Sequence, residues 1–446
     1  MTNVSQYRAN RRMLAEISVA SLYPAYKSET RIDIALLVSA LFLQRFTLPF
    51  GKTFLALDLV PVAVILLHQF LSGKLLIQYD RLLWFLAVGL AATCSLLLNF
   101  KSTMLTSYFL FLVLYFLVTL TRPSTPDRYK STLQAFQWLI MLLSCIAVAQ
   151  FVAQFAVNGR QLIMFYGMIP DFLSGAFNAG QAHTVHQMEG SSLLKSNGIF
   201  LAEPGNLSQI TAIAILIEIL EFRRPRYLLV MVLGFLMAYS GSGLMILLLF
   251  LPLAGLRHGR AGLSVVLVVM FALGLFATGI VDLSAFISRA GEFEQTRASG
   301  FQRYVAPFWL AAEHFDTASL QTLLIGSGPG TALDFGFGSH AWWGGMSGWL
   351  KELYEYGLIG SFIFVCFLAS CLRRSGCPGV VLVGLIFTDL FDVGFLTTWF
   401  LTILIVLCTL HAPEARRGRV DRAASTQPIL ASGGQVDGRQ LITEGR

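Results

Sequence analysis

Between Ser284 and Ser347, an otherwise apolar chain gathers Arg289, Arg297, Arg303, His314, Gly326, Gly328, Gly330 and His340. Guanidinium groups fork onto phosphate oxygens. An imidazole accepts a proton from a hydroxyl near neutral pH, and closely spaced glycines present backbone amides to an anion. Together these types suit an anionic, lipid-linked substrate. Each also has a plainer reading. Arg303, in Gly300-Phe301-Gln302-Arg303-Tyr304-Val305-Ala306-Pro307, could be an interfacial anchor among aromatics. Ile325-Gly326-Ser327-Gly328-Pro329-Gly330 lacks the Lys-Ser/Thr ending of a P-loop and could be a tight turn. His340, before Trp342 and Trp343, could be a structural histidine.

Two further carboxylate positions stand out. Glu203, in Ala202-Glu203-Pro204-Gly205-Asn206, lies beside an apolar run, where a charge is costly unless paired or functional. Pro204 suits the first turn of a helix, so Glu203 could simply cap it. Asp389 and Asp392 pose the same question, with arginines as natural partners. His183, His186 and Glu189 have zinc-ligand types, but no cysteine, third histidine or His-Glu-x-x-His pattern accompanies them, so no metal site is expected.

The elements that must position these residues are membrane spans. Hydrophobic residues make up 55% of the 446 positions and charged ones 13%. The mean hydropathy is +0.67. That composition excludes a soluble domain of this length and predicts an all-α, polytopic integral membrane protein. The six cysteines fall in or beside apolar runs, so a disulfide framework is not expected. Runs at 32–50, 55–73, 81–99, 103–121, 132–157, 199–220, 262–283 and 348–372 are the length a bilayer needs. Residues 226–256 and 378–411 are longer and carry polar breaks, at Ser240-Gly241-Ser242-Gly243 and from Asp389 to Asp392. Each is expected to form two short helices meeting at a tip, giving about twelve spans in all.

The positive-inside rule supports that count. Arg8, Arg11, Arg12, Lys27, Arg31, Lys74, Arg81, Arg122, Arg128, Lys130, Arg223, Arg224, Arg226, Arg257, Arg260, Arg373, Arg374 and the tail from Arg416 fall on one side. Both termini are then cytoplasmic, and loops 158–197 and 284–347 face outward. The net charge of +7 needs no nucleic acid. The expected organisation is a cytoplasmic segment 1–31, a transmembrane domain 32–411 containing both outward loops, and a disordered tail 412–446.

The order of the short motifs between about 200 and 360 resembles the Wzy-type polysaccharide polymerases and the related O-antigen ligases. It is most similar to exopolysaccharide polymerases of the xanthan type. The motifs are Glu203-Pro204-Gly205, Tyr239-Ser240-Gly241-Ser242-Gly243, Ser299 to Pro307, Leu324-Ile325-Gly326-Ser327-Gly328-Pro329-Gly330, His340, and Glu352-Leu353-Tyr354-Glu355-Tyr356-Gly357. The resemblance implies a glycosyltransferase in the bacterial inner membrane that polymerises undecaprenyl-pyrophosphate-linked repeat units at the periplasmic face. It implies Arg303 on the pyrophosphate, His340 as general base and Glu203 in support. It also implies inversion at the sugar, no cofactor beyond the substrate's own lipid carrier, and partnership with a chain-length co-polymerase and a flippase. Ser242 stands where ligases and many polymerases carry an arginine, which leaves Arg297, Arg289 or Lys195 as the second phosphate ligand, with Gly326 and Gly328 as further contacts. A ligase transferring glycan to lipid A core or protein is the nearest alternative, separable by its products. A transporter of lipid-linked sugars, from another class, would carry charges at mid-depth in its spans.

Overall fold

The computed structural model describes residues 30–50, 53–101, 103–156, 193–257, 294, 299–332, 347–373, 375–393 and 396–413. These are mostly helical. Four helices are long and apolar enough to cross a membrane: Tyr79–Leu98, Pro126–Ala156, Pro204–Phe222 and Gly348–Leu372. Leu59–Leu71, Met104–Thr119, Pro225–Met237, Gly241–Gly255, Gly379–Phe391 and Thr398–Thr409 are apolar but shorter. A 13-residue helix rises about 20 Å, less than the hydrocarbon core. About twelve full spans are therefore not seen among the described residues, and the run at 262–283 lies outside them.

Both broken runs break. The first divides into Pro225–Met237 and Gly241–Arg257, with Tyr239 between them at φ 44°. The second divides into Gly379–Thr388, a π-turn Asp389–Val393, and a helix from Thr398. The run at 32–50 departs from expectation. Its helix ends at 42, and Thr47–Phe50 pairs antiparallel with Thr53–Ala56. Pro49 disfavours continued helix there.

Pro204–Ile217 is the central helix. Every residue in it except Asn206 is buried, as its apolar character on all sides requires. Small residues bring its neighbours close. A Cβ on Gly243 would strike the Ser208 carbonyl, so only glycine lets the Gly241 helix lie against it there. The Gly243 amide donates to Ser208 Oγ at 3.1 Å, and that hydroxyl donates to the Gly205 carbonyl at 2.8 Å. On the periphery, Leu86, Leu90 and Leu97 of the Tyr79 helix and Phe362 and Val365 of the Gly348 helix are exposed. Such a surface suits a hydrocarbon solvent.

One end of the bundle is tied by a three-stranded sheet. Leu120–Ser124 pairs antiparallel with Leu76–Ile77 and parallel with His411–Pro413. Buried Asp33 accepts from Arg122 and from the Thr132 hydroxyl, and lies 3.2 Å from His411 Nε2. His411 Nδ1 is 2.9 Å from Ser124 Oγ. Glu221, near the end of the central helix, shares a cavity of about 320 Å³ with Ser124, Lys130 and His411. Pro204–Phe222 contains 19 residues, a rise of about 28 Å. The sheet and Glu203 therefore lie toward opposite ends of one membrane-length helix.

Candidate functional site

Glu203 precedes Pro204, whose fixed φ and missing amide hydrogen suit the first helical position. The Glu203 side chain makes no capping bond to that helix. It accepts instead from Arg303, with Nη2 to Oε2 at 2.9 Å. Arg303 Nη1 donates to Ser242 Oγ at 2.7 Å. Three motifs separated by up to 100 residues thus converge on one guanidinium. The arginine and glutamate side chains are 26% and 39% exposed, so the pair can be reached from outside the fold. An ion pair this open contributes about 1 kcal/mol or less to stability. Its principal consequence is orientation of the guanidinium.

The backbone around the pair explains how these residues meet. Arg303 lies in the last turn of the short helix Ser299–Tyr304, anchored by buried Phe301 packed edge-on against Trp309 at 5.4 Å. The following helix, Ala306–Thr317, leans on the Gly348 helix through Phe308 and Trp349 at 5.2 Å. His314 is buried against the Tyr354 ring at 4.8 Å, and that burial lowers its pKa. Ser242, itself buried, is fixed by the Gly243 contact with the central helix. Gly205 supplies the remaining space: a Cβ there would sit 3.1 Å from Arg303 Nη1.

Glu203 is held by a strap, residues 193–203, bonded to surrounding helices. Gln150 Oε1 accepts from Ser196 Oγ at 2.6 Å and from the Asn197 amide at 3.2 Å. Gln154 Oε1 accepts from the Leu194 amide at 2.8 Å. Ser196 also donates its amide to the Met237 carbonyl at 2.9 Å, which ties the strap to the break before Ser242. Gln44 Oε1 accepts from the Ala202 amide and Asn206 Nδ2, and Arg45 donates to the Ile199 carbonyl. Gln44 and Arg45 lie within the 32–50 run, whose hydropathy alone predicts a simple span. Adjacent polar residues inside that run were the available signal. Half-buried Lys195 lies in this strap.

Gly326 and Gly328 lie elsewhere. The Gly348 helix is interrupted at Gly357, with φ 67° and ψ −173°, leaving carbonyls without helical partners. Ser327 and Gly328 donate their amides to the Tyr354 and Glu355 carbonyls at 2.8 and 3.0 Å. Gly326 donates to Thr322 at 2.8 Å. A Cβ on Gly326 would strike the Glu355 carbonyl, and one on Gly357 would lie 2.6 Å from the Gly326 nitrogen. The glycine turn and the Tyr354-Glu355-Tyr356-Gly357 motif are therefore two sides of one backbone lock, and these amides serve helix carbonyls. Asp389 is buried and makes no ion pair among the described residues. His340, Arg289, Arg297, His183, His186, Glu189 and the Asp392 side chain lie outside the described residues. No group of three metal-ligating side chains occurs among the described residues.

A surface-reachable arginine, oriented by a carboxylate and a hydroxyl at one end of a membrane-length helix, has the geometry of an anion receptor. The sequence matches the WcaD colanic acid polymerase family over residues 33–411. The chain belongs to that family. The match spans both the bundle and the converging motifs, and supports a polysaccharide polymerase function of glycosyltransferase type in a membrane. It agrees with the resemblance to Wzy-type exopolysaccharide polymerases. No curated protein and no solved structure matches the chain.

Proposed function

We propose that this WcaD-family chain polymerises oligosaccharide units carried on undecaprenyl pyrophosphate, at the periplasmic face of the bacterial inner membrane. The observation that carries this reading is the convergence of Glu203, Ser242 and Arg303 at one end of the central helix, away from the end tied by the sheet and its basic loops. The growing glycan is the donor. A hydroxyl at the non-reducing end of the next lipid-linked unit attacks its anomeric carbon, forming the new glycosidic C–O bond. The bond to pyrophosphate breaks with its electron pair on the leaving oxygen. Arg303 neutralises that charge, Ser242 orients Arg303, Glu203 holds Arg303 in place until the pyrophosphate arrives, and His340 takes the hydroxyl proton. In-line displacement inverts the sugar. The donor's pyrophosphate bond supplies the energy, so nucleotide and metal are not required. Arg289, Arg297 and Lys195 are the candidates for a second phosphate contact, and a chain-length co-polymerase and a flippase are the implied partners.

Purified protein incubated with a synthetic lipid-linked repeat unit, without nucleotide or added metal, tests this directly. Wild type is expected to make a ladder of lengthening lipid-linked products. Arg303→Ala and His340→Ala are expected to leave single units. A normal ladder from either variant rejects the role given to that residue. Wild-type protein that moves glycan onto lipid A core or protein, without lengthening it, rejects polymerisation.

A further inference from the structure

Glu203 heads a helix long enough to cross a membrane and Arg303 is bonded to it, which sets the pair near the depth of phospholipid headgroups. A guanidinium forks onto the phosphodiesters of lipid headgroups as well as onto pyrophosphate. Headgroups outnumber any lipid-linked sugar in a bilayer, so an undefended arginine at this depth would be occupied by ordinary lipid. Arg303 is defended: Glu203 Oε2 already accepts from Nη2.

We propose that Glu203 is a specificity-determining residue, a built-in carboxylate that holds Arg303 against singly charged phosphodiester headgroups and yields it to pyrophosphate. The inference rests on Arg303 being the pyrophosphate ligand. Glu203 is tethered beside its partner, so its effective concentration exceeds that of a free anion. A phosphodiester brings one charge, as the carboxylate does, and gains little by exchange. A pyrophosphate brings more charge and more acceptor oxygens. It can span Nη2 and the Ser242 hydroxyl, which is bonded to Nη1.

The displaced carboxylate has somewhere to go. Glu203 occupies the N-cap position of Pro204–Ile217 without capping it, and a negative charge is favoured at that helix end. Gly205 lies beside the path: a Cβ there would be 3.1 Å from Arg303 Nη1 and 3.8 Å from Glu203 Oε2.

The test uses the full chain in vesicles of phosphatidylcholine, with and without added phosphatidylglycerol, and a short-chain isoprenyl pyrophosphate as probe. Repulsion of the probe by the charged surface acts on every variant alike, so comparison with wild type removes it. Added phosphatidylglycerol is expected to weaken binding to Glu203→Gln and Glu203→Ala about 10-fold more than binding to wild type. In phosphatidylcholine alone, whose phosphodiester charge is offset by its own choline cation, both variants should bind at least as tightly as wild type. Equal lipid dependence in wild type and both variants overturns the proposal, as does weaker binding by both in phosphatidylcholine. Arg303→Ala separates the two ideas: if it binds the probe like wild type, the reading of Arg303 as pyrophosphate ligand fails.

Discussion

At the residue scale, Arg303 needs shape as well as charge. A planar guanidinium engages Glu203 and Ser242 through different nitrogens, which an ammonium cannot reproduce from one point. Arg303→Lys should therefore cost about 10²-fold or more in polymerisation rate, the scale of losing one oriented donor to a developing oxyanion. Retention of wild-type rate by that variant, measured on lipid-linked units, would show that charge alone suffices. The sequence identified Arg303 and Glu203 as anomalies, and the structure joins them. It could not show that Glu203 leaves its helix uncapped, because that choice depends on a partner 100 positions away. Ser242 looked like a missing arginine in the motif. In the fold, its hydroxyl is a partner of the arginine that is present.

At the element scale, glycines set the distances on which the site depends. Gly243→Ala would push a methyl group into the Ser208 carbonyl and displace Ser242 from Arg303. The expected outcome is a stability loss of about 1–3 kcal/mol, together with a polymerisation defect larger than that of Ser242→Ala. Unchanged melting temperature would contradict the close approach. Gly357→Ala meets both a left-handed φ and the backbone of the glycine turn, so it should destabilise more than alanine at the open position Gly241. The Gly326–Gly330 motif was legible as a special turn, but not as a helix lock. Its partner carbonyls exist only because the Gly348 helix breaks at Gly357, and hydropathy reads straight through that break. Burial also gives the Arg303-bearing segment a pH dependence. The neutral His314 ring is favoured in the fold, so its contact with Tyr354 is intact above the unfolded value of about 6.5 and is lost as pH falls through the lower folded value. Melting temperature should fall on acidification through that window, and His314→Phe should flatten the dependence.

At the scale of the whole molecule, the basic loops at 74–81 and 120–130 and the strand at 411–413 meet in one sheet, with the Arg303 site at the other end of the central helix. Charge bias along the sequence anticipated that separation, because loop charge is read without knowing how helices pack. Among the described residues, four helices reach membrane length. Helices such as Met104–Thr119 and Pro225–Met237 are shorter than their apolar runs, which continue into the strand at Leu120 and the break at Tyr239. The tie at Asp33 is structural and distant from the site. Arg122→Ala would leave a buried carboxylate without its cation and should cost about 3–5 kcal/mol, while protein that remains folded should bind pyrophosphate normally. Loss of binding in folded Arg122→Ala would mean that the two ends are coupled. The most direct test of the central claim is a structure of the protein with an undecaprenyl-pyrophosphate-linked unit bound. The account predicts a phosphate oxygen within about 3 Å of an Arg303 Nη atom, with the Ser242 hydroxyl close by. Pyrophosphate bound away from Arg303, with the Glu203–Arg303 pair intact, would contradict it.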